Sequence, residues 1–275
     1  MTEQMIDTRV GRLKVAVLGD RGPTALLWHS LFVDERSWNG MLPILADRRR
    51  LVVVTGPGHG ESTDPGRRYT LRECAESALQ VLDALAVGEP VDWVGNAWGG
   101  HVGLIFAAEW PERCRSVAAF GTPVAALSRS ERRRTQLLLG LYRLLGASPT
   151  IVDATTAVLL SPRTIERDPD AVALVHDCLR RADRRMLRNA IVSISMHRPD
   201  LAVTLGRVSR PVLIVTGDDH HGFTPDQARE AVSMIARGQL AILPDTAYLT
   251  PLEAPAACAD LVLALWAGVQ TEMTA

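Results

Sequence analysis

The stretch VDWVGNAWGGHVG, residues 91–103, constrains the chain more than any other. Val91–Gly95 has strand character, Gly95-Asn96-Ala97-Trp98-Gly99 is a glycine-flanked turn, and a helical pattern begins near Gly99. A strand that turns so sharply into a helix needs small residues, because the turn is strained and its backbone passes close to neighbours. This is the frame of a G-x-S-x-G elbow, which raises one side chain above the end of a sheet. Here the raised residue is Ala97, which has no heteroatom to attack anything.

The surrounding pattern supports a sheet. Short β-rich runs occur at 25–29, 51–55, 91–95, 117–120, 212–216 and 240–243. Most are continuously apolar, as expected of parallel strands buried on both faces. Their alternation with helical patterns predicts a doubly wound α/β architecture, whose ligands bind beyond the carboxyl ends of the strands. Between Val124 and Leu205 the strand rhythm stops, and breaks at Ser148-Pro149, Ser161-Pro162 and Asp168-Pro169 separate helices. Arginines cluster there, at 132–134 and again at 180, 181, 184, 185 and 188. A solvated helix face accounts for them more simply than an anion-binding surface.

Composition excludes several classes. A net charge of -1 offers no global field for nucleic acid or an anionic membrane. The four cysteines (Cys74, Cys114, Cys178, Cys258) show no CxxC pair and no histidine at zinc spacing, so no metal site is expected. The N-terminal residues lack an apolar signal core, and no apolar run is long enough to span a bilayer; the expected location is cytoplasmic. The glycine spacing fits neither a dinucleotide fingerprint nor a P-loop, so no cofactor is expected.

Four further segments accompany the elbow. LLWHSLFVDERSW (26–38) has a strand followed by His29-Ser30, GPGHGES (56–62) is a glycine-rich turn, and PVLIVTGDDHHGFTP (211–225) ends a strand in acids and histidines. LPDTAYLTPLEAP (243–255) closes the series. In this order the five landmarks resemble the α/β-hydrolase family over nearly the whole chain. The resemblance implies an α/β-hydrolase fold: a mostly parallel sheet with helices on both faces and an inserted helical cap. The core is then residues 1–123 and 206–275, and the cap 124–205.

The resemblance also assigns positions. Ala97 stands at the nucleophile and Tyr248 at the base histidine, while Asp218, Asp219, His220 or His221 fills the acid. The spacing to Thr224-Pro225 is one residue longer than usual, so the acid's place stays open among these four. A phenol of pKa about 10 is a poor base. An engineered serine-to-alanine change would explain Ala97 but not Tyr248. The oxyanion hole of this family uses backbone N–H groups, here those of Leu31 and Trp98, and survives loss of side chains. Around it the expected pocket holds His29, Ser30, Asp34, Ala97 and Tyr142, with His29 holding the loop in place. His59 and His101 are expected to be structural.

An oxyanion hole without a nucleophile suits a cofactor-free enzyme acting on a small, apolar carbonyl compound, by elimination or isomerisation through an enolate. The acid/base candidates are Asp218, Asp219, His220, His221, Tyr248 and, on the oxyanion loop, Asp34. Two alternatives stand beside it. One is a hydrolase that activates water with an Asp–His dyad; the other is a binding protein that has lost turnover.

Overall fold

A computed structural model describes residues 1–274, with side chains through Thr271. Its eight strands are β1 (Thr2–Thr8), β2 (Gly11–Leu18), β3 (Thr24–Trp28), β4 (Arg50–Val54), β5 (Val91–Asn96), β6 (Cys114–Phe120), β7 (Val212–Gly217) and β8 (Gly238–Leu243). They form one sheet in the order β1-β2-β4-β3-β5-β6-β7-β8. From β4 to β8 all pairings are parallel, while β1 and β2 run antiparallel at one edge. The six apolar runs of the sequence become β3 to β8. The β1–β2 hairpin has no counterpart among those runs, because its outer strand is mostly solvent-facing and carries little apolar signal.

Strands β3, β5 and β7 are buried at every position, which requires helices on both faces. One face is covered by helices Leu71–Ala84, Trp98–Glu109 and Pro225–Ser233, the other by Leu42–Ala46 and Pro255–Thr274. The chain leaves β3 to one side toward β4, then returns past β3 to β5. The sheet order therefore reverses between β3 and β5, the kind of switch point beyond whose carboxyl ends ligands bind in such sheets. His29 and Ala97 are the first residues after those two strands.

Between β6 and β7 the chain inserts helices Arg129–Leu145, Pro149–Leu159, Pro162–Arg167, Pro169–Arg181, Arg184–Ala190 and Ala202–Arg207, with a π-helical turn at Ile191–Met196. The three X-Pro breaks are helix starts. Pro149, Pro162 and Pro169 each occupy the first turn, where the missing N–H costs nothing. Ser161 and Asp168 cap their helices through Thr164 N and Ala171 N. No helix among the described residues is long and apolar enough to cross a membrane.

Candidate active site

The elbow sits where β5 ends. Ala97 has φ 46° and ψ −97°, a conformation L-residues rarely adopt and one that typically costs about 1–3 kcal/mol. Two glycines make it possible. A Cβ on Gly99 would stand 1.8 Å from the Trp28 carbonyl oxygen, and one on Gly95 would stand 2.2 Å from the Gly99 carbonyl carbon. Gly99 N donates to His29 O at 3.2 Å, so the helix start and the β3 loop are joined directly. The N–H groups of Leu31 and Trp98 meet no protein acceptor among the described residues.

His29 is fully buried, and both its ring nitrogens are engaged. Nε2 accepts from Gly56 N at 2.8 Å, so Nδ1 carries the proton and donates to Ser30 O at 2.7 Å. It therefore clamps the β3 loop and offers nothing to a ligand. His59 donates Nδ1–H to Pro57 O, and its ring packs with those of His29 and Trp98 in a triangle. His101 bonds Pro123 O at 2.6 Å on the helix after the elbow.

Of the acid/base candidates, His220 and Tyr248 come together, with ring centroids 4.9 Å apart. Asp218 and His221 are exposed, and Asp219 is half-buried. No hydrogen bond or ion pair links the Asp218 or Asp219 carboxylate to either histidine among the described residues, so the Asp–His dyad expected for water activation does not form. His220 Nδ1 instead accepts from Gly222 N and Phe223 N, each at 3.1 Å, which places its proton on Nε2. That N–H is buried and unpartnered. Burial lowers the His220 pKa to about 4. The ring is a neutral donor.

Tyr248 is partly buried. Burial raises its phenol pKa, opposed by a hydrogen bond with the Ser30 side chain and by the Arg198 charge. Asn96 holds this loop: its Nδ2 donates to Phe120 O at 3.0 Å and to Tyr248 O at 3.1 Å. Gly121, at φ 50°, lies where these groups meet, and a Cβ there would stand 2.7 Å from Tyr248 O. Glu253 secures the other end, accepting from Ala247 N, Ser161 N and the Thr164 hydroxyl, and so ties the loop to the inserted helices. Asn96 and Glu253 lie inside quoted motifs and Gly121 directly follows the run 117–120, but their roles depend on contacts across the fold that spacing does not carry.

Asp34 is excluded as a base by its partner. Arg36 grips both carboxylate oxygens at 2.8–3.1 Å, and these bonds hold the Asp34 pKa below the usual carboxylate range against the opposing effect of burial. The pair forms part of the wall of a cavity of about 310 Å³ between the β3 loop, the GPGHGES turn and the inserted helices. Tyr142 lies apart from Tyr248, on the inner face of helix Arg129–Leu145, and lines a narrow apolar cleft with Phe32 and Leu139. No group of three or more His, Cys, Asp or Glu able to hold a metal ion occurs among the described residues.

A family model described as the Alpha/beta hydrolase family matches residues 25–261. The chain belongs to that family. It is 26% identical to a 2-hydroxy-6-oxononadienedioate/2-hydroxy-6-oxononatrienedioate hydrolase of Klebsiella pneumoniae, over 93% of this chain and 91% of that one. It is 28% identical, over 86% of its own length, to the dihydrolipoyllysine-residue acetyltransferase component of an acetoin cleaving system from Pseudomonas putida, of which it spans 61%. Among solved structures, the enol-lactonase of Burkholderia xenovorans superposes with a TM-score of 0.88 at 22% identity, covering 96% of this chain and all of that one. This α/β-hydrolase family member thus shares the family's sheet and helical insertion.

The buried histidines make its stability pH-dependent. His59 and His101 are held near 3 and His220 near 4, chiefly by burial, whereas unfolded histidine titrates near 6.5. The unfolded chain binds more protons between these values, so stability is full above about pH 6.5 and falls as pH drops toward 4. The urea midpoint is expected to decline steadily from pH 7 to pH 5. A midpoint constant over that range would mean these rings are protonated in the folded protein.

Proposed function

We propose that this α/β-hydrolase family member turns over a small carbonyl compound by direct attack of water, without an acyl-enzyme. The observation that carries the reading is Ala97. Its strained φ of 46° supports no nucleophile, yet it leaves the Trp98 N–H free beside a loop whose Leu31 N–H is also free. Strain kept at a functional elbow points to what the elbow still presents, and here that is an oxyanion hole. Two donors of this kind stabilise negative charge on a carbonyl oxygen, each by about 3 kcal/mol.

Water adds to the carbonyl carbon of a bound ester or lactone, and the oxygen takes its charge against these N–H groups. Collapse breaks the bond to the leaving oxygen. Tyr248 gives that oxygen its proton and regains one from the water added. Its raised pKa keeps it protonated, as a donor must be. Neither His220 nor Asp34 is free to act as a base, since backbone amides occupy His220 Nδ1 and Arg36 occupies Asp34. The substrate therefore needs a good leaving group such as an enolate or phenolate. Relatives named as an enol-lactonase and as a hydrolase of a hydroxy-oxo-dienedioate fit that class. Turnover is expected to stay flat with pH through neutrality, because Tyr248 remains protonated, and to lack the inflection that a histidine base of pKa about 6.5 imposes.

The same donors also favour elimination or isomerisation through an enolate, with Tyr248 protonating carbon. Incubation with aryl esters, enol esters and lactones in H2(18)O and in D2O separates the two readings. One oxygen-18 in the product acid, with no mass added to the protein, is expected. Deuterium on carbon without oxygen-18 would move the assignment to enolate chemistry, and an acyl-protein adduct would overturn both.

In the proposed arrangement Ala97, Tyr248 and His220 occupy the nucleophile, base and acid positions. Ala97→Ser with Tyr248→His is then expected to give no acyl-enzyme, because no carboxylate faces the new imidazole. Adding His220→Asp is expected to produce burst kinetics on an aryl ester. A burst from the double variant would place the acid elsewhere.

A further inference from the structure

Helix Arg129–Leu145 turns two apolar faces outward from its axis. The inner one, through Leu139 and Tyr142, packs against the rest of the insertion. The outer one carries Leu137, Leu141, Leu144 and Leu145, at 67%, 41%, 78% and 57% exposure. Their spacing places them on one side of the helix over its last two turns. A contiguous exposed apolar patch marks an interaction site.

Arg133 and Arg134 lie one turn before Leu137 on the same side. Both are exposed and form no ion pair among the described residues. The acid on that turn, Glu131, is engaged at the helix start, where its carboxylate accepts from Ser128 N at 2.8 Å. The outward face is thus cationic at one end and leucine-covered at the other. A net charge of -1 for the chain conceals this local concentration.

We propose that this face docks on an anionic phospholipid surface, with the leucines entering the acyl boundary and the arginines meeting the headgroups. The combination of leucines and unpaired arginines on one helix side is what such a surface recognises. A second copy of the chain fits less well. The stripe is about 12 Å long, and four leucines expose on the order of 400 Å², half the roughly 800 Å² that each partner contributes to a standard interface. The docking is independent of the chemistry proposed for the elbow.

Flotation with phosphatidylglycerol-containing vesicles and with pure phosphatidylcholine vesicles tests it. The protein is expected to float with the anionic vesicles, at least tenfold more than with the neutral ones, and to be released by high salt. Leu141→Asp with Leu144→Asp, and separately Arg133→Glu with Arg134→Glu, are expected to abolish flotation while leaving the circular dichroism and thermal midpoint unchanged. Equal binding to both vesicles, or to neither, overturns the proposal. So does a dimer in light scattering that the leucine variants convert to monomer, which would assign the face to a second copy.

Discussion

Tyr248→Phe is expected to lower turnover of an activated ester by about 10²- to 10³-fold, the usual contribution of a positioned proton donor. The phenol lies between the Ser30 side chain and the neutral His220 ring, with its backbone held by Asn96. Phenylalanine keeps the ring packing and the backbone bond and removes one hydroxyl. The unfolding free energy from urea titration is therefore expected to stay within about 1 kcal/mol of the parent. The loss is expected in kcat, with KM little changed, because proton donation acts in the transition state. The effect should shrink as the leaving group of the ester becomes more acidic, since a stable anion needs no proton. Unchanged turnover for Tyr248→Phe on every ester tested would remove the tyrosine from the mechanism and leave catalysis to the oxyanion donors alone.

The largest expected loss of stability lies below the site. Arg49 Nε and Asp92 Oδ2 pair at 2.9 Å, and both side chains are buried, at 4% and 0% exposure. Ser116 donates to the other Asp92 oxygen at 2.7 Å, and the guanidinium lies over Trp266 at 4.5 Å. Arg49→Met preserves much of the packing on Trp266 but leaves a carboxylate enclosed without its cation. Breaking one side of such a pair typically costs about 3–5 kcal/mol. Chemical unfolding is expected to report a loss of that size, large against a total stability of roughly 5–15 kcal/mol. Asp92→Asn combined with Arg49→Met is expected to recover part of it, because the remaining amide is neutral. A double variant no better than the single one would show that packing on Trp266, and not the uncompensated charge, sets the loss.

Local sequence determined a great deal of this protein. Apolar runs of four or five residues identified the six parallel strands β3 to β8, because a strand buried on both faces has no room for alternation and only the run in the edge strand β8 is part-exposed. Gly95 and Gly99 were legible as turn residues because only a missing Cβ permits the contacts the elbow makes. The prolines at 149, 162 and 169 marked helix boundaries for a reason internal to the backbone. The β1–β2 hairpin escaped because an edge strand facing water has almost no periodic signal.

The site divided along a different line. Which residues follow the carboxyl ends of β3, β5 and β7 could be read from the chain, since sequence order within a wound sheet sets it. Which of Asp218, Asp219, His220 and His221 turns inward could not. All four sit within one loop, and the choice was made by the amides of Gly222 and Phe223, which capture His220 Nδ1 and draw that ring under cover. Likewise Asp34 looked available as a base until Arg36 folded back upon it, and His29 looked like part of a pocket until Gly56 supplied a donor from a turn 27 residues away. Strands and turns follow from short-range sterics that every residue carries with it. The protonation and availability of a side chain depend on neighbours that only the folded chain brings within 3 Å, and those decided which groups remain for chemistry.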